Sequence, residues 1–305
     1  MDPIMLQLGP LGLRWYGFFI ALGVLIGTML ATRLARKRGL DPEKLLDMAV
    51  WLVIAGIIGA RLVYVLTSPS AFFGPNGNPL SALYIWQGGI SIHGGLLGVV
   101  LATWLYSRRY NLNMWAYLDV MSPVAGLGII GGRLGNIMNG TDTAGRLTDW
   151  PIGFNWPPPG TETWGAFGRF IFGDNLWQYY PPVCGPAFAA GEPCSVHFTQ
   201  LYGVVVGALV FLITMWALRR SRTPGFAFWQ MILWYSVLRS VLEEPFRDNP
   251  LFWQVYLDNE GGVGVFTLTQ LFSIIIILIA LYLLITMDPD KVERKERLAM
   301  KARGR

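Results

Sequence analysis

Four long stretches without an aspartate, glutamate, lysine or arginine constrain this chain more than any other feature of its sequence. They cover residues 15–32, 90–107, 198–218 and 261–287. A helix rises about 1.5 Å per residue, so each stretch is long enough to cross about 30 Å of hydrocarbon. The sequence therefore predicts membrane-spanning helices.

Three further apolar segments of similar length each contain only one or two ionisable groups. The composition agrees with a membrane protein, because 53% of the residues are hydrophobic, 14% are charged and the mean hydropathy is +0.43. We expect an all-α integral membrane protein with seven transmembrane helices. The predicted spans are approximately 15–34, 45–66, 90–107, 114–137, 198–218, 225–242 and 264–286.

No part of the sequence indicates a separate soluble domain. We expect residues 1–287 to form one membrane domain and residues 288–305 a basic cytoplasmic tail. The outward loop 139–197 is long and rich in glycine, proline and aromatic residues, so we expect it to be largely irregular. Cys184 and Cys194 lie in this loop, where a disulfide could close the turn between them.

Lysine and arginine cluster after the first, third, fifth and seventh predicted spans. The positive-inside rule therefore places the N-terminus outside and the C-terminus in the cytoplasm. Membrane topology and contact with anionic membrane lipids account for the net charge of +5, and we expect no nucleic-acid partner.

The remaining arginines stand apart, because all of them lie in predicted spans or outward segments. An arginine at bilayer depth costs about 3 kcal/mol or more, and its planar fork of donors suits a phosphate group. Two interpretations stay open: a site for a phospholipid headgroup, or snorkelling and internal ion pairing with Asp119 or Glu243. These arginines are Arg14, Arg61, Arg133, Arg146, Arg169, Arg239 and Arg247.

His93 lies among glycines in the segment GGISIHGGLLG at 88–98. A hydrogen-bonded histidine within a helix bundle is one interpretation, and a histidine facing a cavity at the outer end of the third span is the other. Gly94 and Gly98 have the spacing that lets two membrane helices approach closely, as do Gly23 and Gly27. With two histidines and no cysteine pair at ligand spacing, we expect no metal site.

Several motifs, spread over nearly the whole chain, together resemble the bacterial prolipoprotein diacylglyceryl transferase family. GGRLGNIMNG at 131–140 resembles the family signature, and GGISIHGGLLG resembles the segment around the family's essential histidine. The other matching segments are RWYG at 14–17, GARLVYV at 59–65, HFTQLYG at 197–203, LRSVLEEPFRDNP at 238–250 and TQLFS at 269–273.

The chain departs from the family pattern at three places. Ile137 stands where the signature usually has phenylalanine, and Asp142 aligns with a position that is usually glutamate. The segment EEPFR contains Pro245 and is one residue longer between Glu243 and Arg247 than the usual pattern.

The resemblance implies transfer of the sn-1,2-diacylglyceryl group from phosphatidylglycerol to the lipobox cysteine of a prolipoprotein. A thioether forms and glycerol phosphate is released, in the bacterial plasma (inner) membrane, with no cofactor. The residues we assign to catalysis on this basis are His93, Arg239 and Tyr16. The residues we assign to substrate binding are Arg133, Asn136, Asn139, Gly140, Asp142, Gly145 and Glu243.

The reasons for these roles are chemical. Arg133 and Arg239 each end a predicted span and could clamp developing phosphate charge. His93 could act as a general base toward a thiol of pKa about 8.5, or could orient the headgroup. Tyr16 and the two asparagines could bind glycerol or phosphate oxygens, but Tyr16 could equally be an interfacial aromatic and the asparagines could bridge helices.

Other functions predict other patterns. A transporter or channel for anions or lipids would carry polar groups through several spans to both faces, whereas here the polar groups collect toward the outer side. An intramembrane protease would require a Ser–His pair or paired aspartates, and neither pattern is present. A non-catalytic or diverged lipid-binding member of the family is the remaining alternative.

Overall fold

The computed structural model describes residues 4–8, 11–74, 77–85, 89, 91–139, 145–151, 153–156, 184, 194–257 and 262–287. The predicted tail 288–305 and most of the predicted outward loop, including Arg169, lie outside the described residues. The chain divides into two compact units. One comprises Met1–Leu30 and Met121–Arg305, and the other comprises Ala31–Val120.

The described structure is mainly helical. The helices, numbered in chain order, are α1 (Trp15–Lys37), α2 (Pro42–Thr67), α3 (Pro69–Phe73), α4 (Ile92–Arg109), α5 (Met114–Asn139), α6 (Thr199–Arg220), α7 (Phe226–Leu238) and α8 (Leu268–Thr286).

Two helix starts show why the chain folds where it does. Asp41 caps α2, since its carboxylate accepts hydrogen bonds from the backbone N–H groups of Glu43 (2.9 Å) and Lys44 (3.3 Å). Thr267 and Gln270 form a reciprocal capping box at the start of α8. These caps satisfy backbone donors that the first turn of a helix leaves free.

Among the described residues, α1, α2, α5, α6 and α8 are long and apolar enough to cross a membrane. Their surfaces support this, because large apolar side chains such as Ile58 (61% exposed) and Ile285 (80% exposed) point away from the protein. So much exposed apolar surface would be costly in water and suits hydrocarbon.

The two other predicted spans correspond to shorter helices. Residues 90–107 overlap α4, which has 18 residues and ends on Arg108 and Arg109. Residues 225–242 cover α7, which has 13 residues, and all but the last residue of the π-helical turn that follows it.

The structure also contains three two-stranded antiparallel sheets that an all-α expectation did not include. The strands are β1 (Ile4–Leu8) paired with β2 (Leu11–Arg14), β3 (Phe154–Trp156) with β4 (Cys194–Val196), and β5 (Leu251–Tyr256) with β6 (Gly264–Thr267). Cys194 of β4 is joined to Cys184 by a disulfide, which confirms the pairing considered from the sequence. These strands are short, so their sequences lack the long hydrophobic period that identifies the helices.

In the unit formed by residues 31–120, α2 and α4 are packed backbone to backbone. A Cβ on Gly59 would collide with the carbonyl of Gly94, and one on Gly98 would collide with the carbonyl of Ala55. The expectation that Gly94 and Gly98 allow close helix approach is therefore confirmed.

Arg61 of α2 is buried in the same unit and binds backbone carbonyl groups. Its guanidinium donates to Ala82 O (2.8 Å) and Gly89 O (2.7 Å), and also to Ser81 O. It also lies over the ring of Phe72 at 5.2 Å. This arginine holds the segment between α2 and α4 in place, which is a structural role.

In the other unit, glycines on α1, α5 and α6 bring α1 and α6 close to α5. A Cβ on Gly27 of α1 would collide with Val124 of α5, and one on Gly126 of α5 would lie 2.7 Å from Gly207 O of α6. The C-terminal half of α5, which carries the sequence GGRLGN, also lies close to α1, since a Cβ on Gly131 would be 3.0 Å from Phe19 O.

Candidate functional site

The candidate site is organised by an irregular helix end. After α7, residues Arg239–Glu243 form a π-helical turn, closed by a hydrogen bond from the N–H of Glu244 to the carbonyl of Arg239. Such turns often occur at functional sites, because the extra residue redirects side chains. Pro245 has no N–H to continue the helix, and a short 3₁₀ turn, Glu244–Phe246, follows.

Glu243 lies at the centre of a cluster of arginines. Its Oε1 accepts a hydrogen bond from Arg133 Nη2 and another, of 2.7 Å, from Arg247 Nη1. Arg239 Nη1 lies 3.8 Å from the same oxygen. Glu243 has no exposed surface, and a buried carboxylate is tolerated only when it is paired in this way.

A second buried carboxylate, Glu244, lies beside the first. Its Oε2 is 3.4 Å from Arg239 Nη2. Arg239 also donates to the hydroxyl of Tyr235 at 3.3 Å. Two buried glutamates, Glu243 and Glu244, thus face three arginines, Arg133, Arg239 and Arg247. These three arginines and two glutamates together carry an excess of one positive charge. We call these five residues the arginine cluster.

Arg146 adds another positive charge close to this cluster. It is 8% exposed, and its Nη2 donates to the carbonyl of Asn249 at 2.8 Å. Its guanidinium also lies over the ring of Tyr256 at 5.6 Å. Within the described part of the chain, Nε of Arg146 and Nε of Arg247 are buried donors without a hydrogen-bond partner.

Backbone pairing holds the segment after α5 against the end of α7. The N–H of Arg146 donates to Phe246 O at 2.8 Å, and the carbonyl of Arg146 accepts from the N–H of His197 at 3.0 Å. Gly145 forms an isolated bridge with Arg247. A Cβ on Gly145 would collide with the carbonyl of His197, so this position has no room for a side chain.

Two glycines bring the neighbouring helices to the cluster. A Cβ on Gly135 of α5 would lie 2.7 Å from the ring of Tyr16, at the start of α1. A Cβ on Gly203 of α6 would lie 2.5 Å from Arg133 Nε and 2.8 Å from its Cδ. The side chain of Arg133 therefore occupies the space that the absent side chain of Gly203 leaves open.

The structure brings several of the predicted site residues together. Glu243 contacts both Arg133 and Arg239. Tyr16 packs on α5, the helix that carries Arg133, and Asn136 lies about one turn after Arg133 on that helix. Arg133 does pair internally with Glu243, which was the alternative considered from the sequence.

For the other predicted residues, the structure describes only the backbone or nothing at all. His93 is in the first turn of α4, in the unit formed by residues 31–120, and its side chain is not among the described ones. Asn139 is the last residue of α5, and its side chain is likewise not described. Gly140 and Asp142 lie outside the described residues.

Sequence reasoning did not assign Arg247, Arg146 or Glu244 to the site. Both arginines were among those singled out as unusual, so their charge was a usable signal. Glu244 had a weaker signal, the consecutive acidic pair in EEPFR. Within the described residues, no group of three histidine, cysteine, aspartate or glutamate side chains is placed to hold a metal ion.

Comparison with known proteins identifies the family. A family model described as prolipoprotein diacylglyceryl transferase matches residues 3–286. A phosphatidylglycerol–prolipoprotein diacylglyceryl transferase of Thermus thermophilus is 45% identical over 291 residues, covering 95% of this chain and 100% of that protein. Proteins of the same name are 45% identical in Deinococcus radiodurans (93% of this chain, 85% of that protein) and 31% identical in a Thermoanaerobacter species (95% and 96%). The chain therefore belongs to the prolipoprotein diacylglyceryl transferase family.

Proposed function

We propose that this chain is the membrane enzyme that transfers the sn-1,2-diacylglyceryl group of phosphatidylglycerol to the lipobox cysteine of prolipoproteins. Its family and the names of its relatives support both substrates. The observation that carries the proposal is the convergence of Arg133, Arg239 and Arg247 on two buried glutamates, which leaves an excess of positive charge.

The charge change in this reaction explains why such a cluster is useful. The cysteine thiolate attacks the glycerol carbon that carries the phosphate ester, so a C–S bond forms and a C–O bond breaks. The electron pair of the C–O bond stays on the phosphate, which gains a negative charge as glycerol phosphate leaves. Donors fixed in advance around that phosphate stabilise the transition state without having to reorganise.

The arginine cluster has the properties that this task requires. The guanidinium of Arg239 is the most accessible of the three, with a side-chain exposure of 20% against 12% for Arg133 and 9% for Arg247. We assign direct hydrogen bonding to the phosphate to Arg239 and Arg133. Arg247 and Arg146 then contribute positive potential from buried positions.

The remaining roles rest on the resemblance and on position. Asn136, Asn139, Gly140 and Asp142 follow Arg133 along the chain, where they would line the glycerol or phosphate part of the substrate. At Gly145 the absence of a side chain would let the backbone approach the substrate closely. Its close contact with the carbonyl of His197 also supports a role in packing.

Tyr16 and His93 are assigned to catalysis on the same grounds. Tyr16 lies against Gly135, two residues after Arg133 in α5, and its hydroxyl is assigned to the headgroup on the resemblance. For His93 the resemblance supports a general base for the thiol, or a donor that orients the headgroup.

We further propose seven membrane spans, with the N-terminus outside and the C-terminus in the cytoplasm of the bacterial inner membrane. The five long apolar helices support this count, together with α4 and with α7 extended by its π turn. The distribution of lysine and arginine supports the orientation.

A direct assay tests the function. Purified protein is mixed with phosphatidylglycerol and a lipobox peptide, and the mass of the peptide is followed. We expect addition of one diacylglyceryl group to the peptide thiol. A peptide with serine in place of the cysteine, and phosphatidylethanolamine in place of phosphatidylglycerol, are the matched controls. Absence of the adduct where the Thermus thermophilus relative forms it would overturn the proposal.

A further inference from the structure

Glu244 is a buried charge that the proposed reaction does not by itself explain. It has no exposed surface and lies in the 3₁₀ turn directly after the π turn. A fully buried carboxylate is expensive unless several donors satisfy it, so its contacts indicate what it stabilises.

The two oxygens of Glu244 have different partners. Oε1 accepts hydrogen bonds from Asn249 Nδ2 at 2.9 Å and from the hydroxyl of Thr267 at 3.0 Å. Oε2 faces Arg239 Nη2 at 3.4 Å. One oxygen therefore anchors the carboxylate and the other is presented to an arginine.

Thr267, which binds Oε1 of Glu244, is itself held by hydrogen bonds at the start of α8. Thr267 is the N-cap of α8, and its hydroxyl also accepts a hydrogen bond from the backbone N–H of Gln270. The side-chain amide of Gln270 in turn donates to the carbonyl of Ser240, inside the π turn. Glu244 is thus tied to the first turn of a long helix.

Arg239 depends on Glu244 more than the other arginines do. Arg133 and Arg247 make direct hydrogen bonds to Glu243, whereas Arg239 is 3.8 Å from that carboxylate. Its closer polar contacts are Glu244 and the hydroxyl of Tyr235. Glu243 therefore holds two arginines, and Glu244 faces the third and most exposed one.

We infer that Glu244 is a positioning residue for the transfer reaction, which orients the guanidinium of Arg239 toward the phosphate of the lipid. This inference rests on the proposed function. Glu244 acts only through Arg239 and does not itself touch the substrate. The negative charge of Glu244 keeps the guanidinium of Arg239 in one orientation. A lysine in place of Arg239 has no planar fork of donors that could be oriented in this way.

The substitution Glu244→Gln isolates this role. The amide oxygen of glutamine can still accept from Asn249 and Thr267, while its NH₂ group replaces the oxygen that faces Arg239. We would measure kcat and KM for phosphatidylglycerol in the wild type, Glu244→Gln, Arg239→Lys and the double variant. The melting temperature of each protein reports on folding.

We expect Glu244→Gln to lower kcat about tenfold or more, since small misplacements of a catalytic group cost this much. In the Arg239→Lys background the same change should alter kcat less than about twofold, because the oriented fork is gone. The same four proteins are also compared by native mass spectrometry, which measures how much phosphatidylglycerol each purified protein retains. This measurement requires no turnover, so it still applies if Arg239→Lys is very slow.

Equal effects of Glu244→Gln in both backgrounds would overturn the inference, as would a lowered melting temperature with unchanged kcat. If the wild type itself transfers no diacylglyceryl group, the proposed function fails. If the wild type is active and Glu244→Gln equals it in turnover and lipid retention, only the role of Glu244 is rejected.

Discussion

At the scale of single residues, the arginine cluster joins two interpretations that the sequence left as alternatives. Arg133 is an internal ion-pair partner of Glu243, and it is also a candidate for gripping phosphate. The two roles are compatible, because a carboxylate that is buried beside a guanidinium fixes its orientation and leaves other N–H groups available. The excess of arginine over glutamate keeps the cluster suited to an anion.

The substitutions Arg133→Ala and Arg239→Ala test the clamp directly. We expect each to lower kcat/KM by about a hundredfold or more, the loss typical for removal of one fixed transition-state donor. Both proteins should still insert into the membrane. The measurement is the transfer assay on protein purified from membranes, with the amount inserted determined for each variant.

The matched control is Arg219→Ala in the last turn of α6, at an exposed arginine away from the cluster. It should keep activity near that of the wild type. Arg133→Lys separates charge from shape, because lysine keeps the charge that Glu243 requires but not the fork. Near-normal turnover of Arg133→Ala or Arg239→Ala would reject the clamp role for that residue.

At the scale of helices and strands, the site exists because three elements deviate from regular packing. The π turn after α7 presents Arg239 and Glu243. Gly135 of α5 leaves room for Tyr16, and Gly203 of α6 leaves room for Arg133. Helices packed through ordinary side chains would stand farther apart and could not bring these groups together.

Gly203→Ala tests the contribution of helix packing. The added methyl group would lie 2.5 Å from Arg133 Nε, so the arginine side chain must move. We expect activity to fall about tenfold or more, since a displacement of about 1 Å at a catalytic group is costly. Transfer activity and melting temperature are measured together.

Gly128→Ala in α5 is the control, because a Cβ there meets no atom within 4 Å. It should leave activity unchanged, and alanine is favoured over glycine inside a helix. Equal activity of Gly203→Ala and Gly128→Ala would show that Arg133 tolerates the displacement and that its position is not critical.

At the scale of the whole molecule, the amino-acid composition and the distribution of charge are those of an integral membrane protein. The long helices expose apolar side chains, and the basic residues follow alternate predicted spans. By the positive-inside rule, we expect the order of charges along the chain to set which end of each helix faces outward.

Cysteine labelling at the two ends of α2 tests this orientation. Glu43→Cys lies in the first turn of α2, and Phe73→Cys lies in α3 just beyond its other end. We expect a membrane-impermeant maleimide to label Phe73→Cys in intact spheroplasts, and to label Glu43→Cys only after the membrane is permeabilised.

The unaltered protein is the control, because Cys184 and Cys194 form a disulfide and should not react. Labelling of Glu43→Cys in intact spheroplasts, with protection of Phe73→Cys, would reverse the proposed orientation. Labelling of both from outside would contradict a membrane-spanning α2.

Much of the fold could be predicted because it depends on local sequence. A run of apolar residues without charges forms a helix in a membrane wherever it occurs, since the backbone must satisfy its own hydrogen bonds there. The lengths and places of α1, α6 and α8 follow from such runs, and those of α2 and α5 follow from the predicted segments 45–66 and 114–137, which contain only two charged residues each. The paired strands escaped prediction because they are only three to six residues long.

The sequence by itself determined that this is a membrane protein, the family to which it belongs and the arginines that require an explanation. Only the tertiary structure decided which charges meet. Arg133 and Glu243 are 110 positions apart, and no local pattern encodes their contact. That contact depends on the packing of α5, α6 and the π turn, and on the need of each buried charge for a partner.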